Sequence, residues 1–120
     1  MMIVAVAVTP EGLIDSRWGR AERVAVAAVS ENEVTGWQEF EVGWASLHDS
    51  GSEGSHHARV ARFLQEHDVE AVVADHMGAG MEHMLAKMGI AVRLGAGGWA
   101  RDAALGMFDD GQQPAHPGAA

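Results

Sequence analysis

The chain has 120 residues, of which 48% are apolar, with no cysteine and a formal charge of −9. That is the length of one domain, with enough apolar side chains for a core. The lack of cysteine excludes disulfides, thiolate zinc sites and cysteine-ligated iron–sulfur clusters, and the acidic balance argues against a nucleic-acid partner. Any metal must be held by His, Asp, Glu, Met sulfur or backbone oxygen. No apolar run approaches the roughly 20 residues that span a bilayer, so a membrane is not an expected partner. The apolar start lacks a basic flank and a cleavage site, which makes it a strand rather than a signal peptide, with the cytoplasm as the expected location.

Residues 2–8 (MIVAVAV) form an unbroken β-branched and Ala run, the pattern of a strand buried on both faces. Thr9-Pro10-Glu11-Gly12 breaks it, and residues 9–22 read as a long loop. Residues 23–29 (RVAVAAV) and 34–42 (VTGWQEFEV) are the second and third strands, joined by a turn at Glu31-Asn32-Glu33 as an antiparallel hairpin. A Gly-, Ser- and His-rich loop follows over 43–54. Ser55 is placed to cap a helix from His56 to about Asp68, with Val60, Phe63 and Leu64 on its apolar stripe.

Residues 69–74 (VEAVVA) make a fourth strand. A second helix over 78–88 carries Met81, Met84, Leu85 and Met88 on one face and stops at Gly89. Residues 90–94 form the fifth strand, Gly95–Gly98 a turn, and 99 to about 108 a third helix. The expected organisation is one domain over 1–108 with a disordered tail over 109–120. The order β-β-β-α-β-α-β-α predicts an α/β fold with a mixed five-stranded sheet and about three helices, a ribonuclease-H-like layout. Helical crossovers are expected to join parallel neighbours between strands three and four and between four and five.

This topology places the start of the first helix at the same end of the sheet as the end of the fourth strand. Ligands in open α/β sheets sit at that carboxyl end. The predicted rim carries Arg17, Trp18, Arg20, His48, Ser55, His56, His57, Arg59, His76 and Met77. Arginines beside helix N-termini suit an anion, and histidines supply borderline metal ligands. Trp18 and Trp44 are expected to wall the rim and Trp37 to cover a sheet face. His67, His83 and His116 fall away from the rim. The glycine turn lacks the lysine and the spacing of a phosphate loop. No catalytic triad is visible, and the first strand lacks the carboxylate of a two-metal nuclease.

Residues 2–8, Ser16-Arg17-Trp18-Gly19-Arg20-Ala21, Gly54-Ser55-His56-His57 and Val72-Val73-Ala74-Asp75-His76-Met77-Gly78 together resemble the dinitrogenase iron–molybdenum cofactor biosynthesis family. This family comprises NifX-type carriers and the C-terminal domain of NifB-type proteins. The resemblance spans roughly residues 2–105. It implies a ribonuclease-H-like fold and transient, non-catalytic binding of an iron–sulfur or iron–molybdenum cluster. Trp18-Gly19-Arg20 matches the family's aromatic-Gly-Arg step and His56-His57 its His-rich helix start, while His76 stands where members often have glycine.

Arg17, Trp18, Gly19, Arg20 and Ser55 are thus the candidate cofactor-binding residues, and His56, His57 and His76 the candidate metal ligands. The expected protein is no enzyme. It is a carrier, monomeric or weakly dimeric, whose partner is a cluster donor or acceptor protein. The alternative is a small regulatory or interaction module that binds a partner protein or a small anion without metal.

Overall fold

The computed structural model describes residues 1–48 and 53–112. β1 (Met2–Ala7) is apolar on both faces and sits in the middle of a five-stranded sheet. Its alternate side chains serve two cores. Ala5 and Ala7 face α2 (Glu53–Glu66) and α3 (Ala79–Lys87), whereas Val4, Val6 and Val8 face the side covered by α4 (Ala100–Gln112). β4 (Ala71–Val73) repeats the pattern, with Val72 on the first side and Ala71 and Val73 on the second. Two covered faces are why both segments read as unbroken apolar runs rather than as alternating ones.

The strand order is β3-β2-β1-β4-β5, with β2 (Arg23–Ser30), β3 (Glu33–Glu41) and β5 (Ala91–Arg93) completing the sheet. β1–β2 and β2–β3 pair antiparallel, β1–β4 and β4–β5 parallel. This is the mixed α/β sheet expected from the sequence. One neighbour differs: β4 lies beside β1, not beside β3. The reason is polarity. β1 must be central to bury both of its faces, whereas Glu33, Glu39 and Glu41 suit β3 to an edge, where charge discourages further pairing.

The hairpin between β2 and β3 turns on Glu31 and Asn32, both at positive φ (50° and 66°), the two-residue turn that matches strand twist. α2 and α3 end alike. Asp68 (φ 55°) and Gly89 (φ 76°) take the left-handed position. Val69 N–H then returns to Leu64 O, and Ile90 N–H to Leu85 O, at 3.0 Å each. These closures are Schellman motifs, with a buried apolar pair across each. Both helices are thereby aimed into the strands that follow them.

Three local expectations are corrected. Residues 44–48 are not loop: α1 (Trp44–His48) forms there, anchored by Trp44 N–H to Ala21 O at 2.9 Å. α2 starts at Glu53, so Ser55 lies inside its first turn and does not cap it. Residues 9–17 are not an open loop either. Thr9 and Leu13 close a tight turn, Val8 bridges Ile14, and Asp15 N–H reaches back to Ala7 O at 2.9 Å. The third predicted helix is α4 and runs on to Gln112. The remainder of the expected disordered tail, with His116, lies outside the described residues. No helix among the described residues is long and apolar enough to cross a membrane.

Candidate functional site

The carboxyl ends of β1 and β4 are joined by the segment between β1 and β2. After the turn at residues 9–13, the chain runs along the rim, and Arg17 makes a parallel bridge with His76, just past β4. A single 3₁₀ turn, Trp18–Arg20, follows. Its middle carbonyl, Gly19 O, meets the start of α2, where His56 Nε2 lies 2.7 Å away. A Cβ added at Gly19 would sit 3.8 Å from Met81 Cε and 3.9 Å from His56 Nε2, so this strip also abuts α3. The strip 17–20 therefore touches both histidine regions, one through its backbone bridge to His76 and the other through its carbonyl to His56.

His56 itself is buried, 2% exposed. Its Nδ1 accepts a hydrogen bond from the Arg59 guanidinium at 2.9 Å while Nε2–H donates to Gly19 O. One nitrogen accepting and the other donating defines a neutral imidazole protonated on Nε2. The ring stands edge-on to Trp44, 6.4 Å between centroids. His56 and Arg59 are three residues apart on α2, the spacing that lets helical side chains meet. That spacing was legible in the sequence as the signal for this pair.

Trp18 and Trp44 do not wall the rim. Both are buried, packed edge-to-face at 5.4 Å. Trp44 continues to Phe63 at 5.6 Å, and His67 stacks between Phe40 and Phe63 at 4.4 and 4.6 Å. His67 thus belongs to an aromatic cluster that ties β3 to α2, a role its place near the helix end did not reveal. Trp18 has one unusual feature: its buried Nε1–H has no hydrogen-bond partner among the described residues. Met77 and Met81 pack on the core.

The rim surface above this layer carries Arg17, Arg20, Ser55 and His76, all exposed, and the half-buried His57 and Arg59. Arg17 is anchored through its own turn, with its N–H to Asp15 Oδ1 at 3.0 Å and Nε 3.5 Å from the same oxygen. The N-terminus of α3 opens on the same rim. Gly78 is its N-cap and, having no side chain, supplies no side-chain acceptor to the first-turn N–H groups. Among the described residues, no three His, Cys, Asp or Glu side chains are grouped to hold a metal ion. His48 closes α1.

A separate cleft of about 700 Å³ lies on the β2–β3 side of the rim, lined by Glu11, Asp15, Arg17, Glu22, Arg23 and Glu41 among others. Arg23 is paired there with Glu41 at 2.9 Å and with Glu39 at 3.3 Å. Carboxylates outnumber arginines, so the cleft disfavours an anion. Arg17 stands where this cleft meets the strip 17–20, which continues away from it toward α2 and α3.

Over residues 1–111 the sequence matches the family described as Dinitrogenase iron-molybdenum cofactor. The chain belongs to this family. Solved structures with the same fold include the apo form of the orange protein from Desulfovibrio gigas, 24% identical, with a TM-score of 0.71 over 93% of this chain and 90% of that one. A protein from Thermotoga provisionally named NifB is 21% identical, with a TM-score of 0.66 over 93% and 90%. A Methanocaldococcus jannaschii protein provisionally named a dinitrogenase is 15% identical, with a TM-score of 0.64 over 92% and 90%. No curated protein matches the chain. At these identities the structural likeness speaks for the fold, and the family match speaks for an association with the iron–molybdenum cofactor.

Proposed function

We propose that the protein is a non-catalytic carrier that receives an anionic iron–sulfur or molybdenum–iron cluster at the strip 17–20 and passes it to a cluster acceptor protein. The cluster is cargo, not a resident cofactor. A resident metal held by several side chains does not fit these residues, because no group of three ligands is assembled among the described residues and both nitrogens of His56 are engaged. The observation that carries the reading is the orphaned Trp18 Nε1–H, a buried donor inside the aromatic-Gly-Arg step. A buried donor without an acceptor costs about 1–3 kcal/mol, and the sulfide or oxo atoms of a cluster are acceptors.

In this reading Arg17 and Arg20 supply positive charge and the Gly78–Ala79–Gly80 backbone adds N–H groups at the start of α3. His57 and His76 offer single, replaceable imidazole ligands. Ser55, exposed in the first turn of α2, adds a hydroxyl. Because Trp18 is buried, the strip must lift for a cargo atom to reach Nε1. His56, through Gly19 O, then serves to seat the strip and not to bind metal. Such contacts are weak one by one, which suits release to an acceptor.

Anaerobic titration of the purified protein with a reconstituted cluster tests this. Visible absorption that stays with the protein after desalting is expected, together with weaker retention in Arg17→Ala/Arg20→Ala and in Trp18→Phe. A protein that emerges colourless, or variants that retain the cluster as the parent does, overturns it. A second reading, an interaction module without metal, is favoured by the same lack of a three-ligand group. It predicts a colourless protein that captures a polypeptide partner.

A further inference from the structure

On the opposite side of the sheet, α4 packs on the face formed by Val4, Ala27, Val29 and Val73. A groove of about 610 Å³ lies beside it, lined by Glu11, Gly12, Trp37, Glu39, Trp99, Arg101 and Asp102. Trp99 is 58% exposed, a costly position for an indole. It is not on a loose loop. Leu13 bridges Trp99, Ile14 N–H donates to Gly98 O and Ala100 N–H to Gly12 O, both at 2.9 Å. The Trp99 ring lies against Gly12, whose φ of +94° is what favours glycine there, with two ring carbons 3.9 Å from where a Cβ would be, an ordinary contact distance. The backbone thus presents Trp99 in a fixed position, and fixed aromatic side chains lose little entropy on binding.

The groove already shows what its aromatic walls attract. The Arg101 guanidinium lies 5.0 Å from the Trp37 ring centroid, a cation–π arrangement. Trp37 Nε1–H is tied to Glu39 at 2.9 Å, which fixes that ring as well. Glu11 and Asp102 stand at the rim, exposed and without an ion pair among the described residues.

We infer that this groove docks an arginine- or lysine-bearing segment of a partner protein, with a basic side chain received against Trp99 between Glu11 and Asp102. This goes beyond the carrier reading and does not depend on it. Charge selects the occupant. A second copy of a chain of charge −9 would set the same carboxylates against each other, and a nucleic acid would be repelled. An exposed indole with carboxylates around it is the form of a binding hot spot for a basic anchor.

The test is an NMR titration of the ¹⁵N-labelled protein with an acetyl-Gly-Arg-Gly-Arg-Gly-amide peptide at about 0.15 M ionic strength, where diffuse attraction is screened. Saturable shifts at the Trp99 and Trp37 indole N–H signals are expected, with Trp18 and Trp44 unmoved. Trp99→Ala should weaken binding about tenfold or more, and Asp102→Asn, a milder change, should weaken it in the same direction. The peptide with Glu in place of Arg should not bind. Shifts centred on Glu22 and Glu41, or affinity unchanged in Trp99→Ala, would overturn the inference in favour of general acidity. Concentration-dependent Trp99 shifts without peptide would overturn it in favour of self-association. Binding of free arginine amide as tight as that of the peptide would overturn the polypeptide partner.

Discussion

Replacing His56 with alanine separates two roles that its sequence position cannot distinguish. If the ring seats the strip 17–20, its loss is a folding defect. The Gly19 carbonyl and the Arg59 guanidinium each lose a partner, at 2.7 and 2.9 Å, in a site that is 2% exposed. Each lost hydrogen bond costs about 1 kcal/mol net, and more where a buried group is left unsatisfied. The missing ring also leaves a void against Trp44, worth about another 1 kcal/mol. The total is about 3 kcal/mol, against roughly 5–15 kcal/mol for the stability of a whole domain. Urea unfolding followed by tryptophan fluorescence should show it. With a urea m-value of about 1.5 kcal/mol/M, the midpoint falls by about 2 M. His76→Ala, at an exposed position, should move it by less than about 0.5 kcal/mol. A His56→Ala midpoint that coincides with that of His76→Ala would refute the seating role and return His56 to the candidate ligands.

Other expectations concern the frame. Leu85→Ala, at a fully buried position where α3 meets the sheet, should cost about 3 kcal/mol in thermal or urea unfolding. Asp68→Gly should stabilise by up to about 1 kcal/mol, since Asp68 holds φ 55° at the end of α2, and Gly89→Ala should destabilise by about 1 kcal/mol at φ 76°. A destabilised Asp68→Gly, or a Gly89→Ala whose urea midpoint matches that of the parent, would discount the Schellman account. Glu41→Ala removes a partner of Arg23 at a carboxylate that is 81% exposed, so it should change stability by less than about 0.5 kcal/mol.

Much of the frame was legible along the chain. The two apolar runs of β1 and β4 announced strands covered on both faces. Methionine spacing announced the buried face of α3, and Gly89 its end. The motif around Trp18-Gly19-Arg20 carried the family. Less of the site was legible. The hooked course of residues 9–17 depends on backbone pairing to β1 and to Trp99, which leaves no periodic trace. α1 forms because the large Trp44 side chain is drawn into a core shared with Trp18 and Phe63, although its local sequence reads as loop. Asp68 in a left-handed position carries no glycine to mark it.

The sequence by itself determined the acidity, the lack of thiolates, the layering of helix and strand, and which end of the sheet would gather the arginines and histidines. Hydrophobic periodicity and crossover connectivity are local or topological properties, so they can be read without coordinates. Only the tertiary structure decided that His56 is occupied by Gly19 and Arg59, that Trp18 is buried with an orphaned N–H, and that Trp99 stands out on the far face. Those facts depend on which atoms from distant segments meet within about 3 Å, the range over which a hydrogen bond is made or lost.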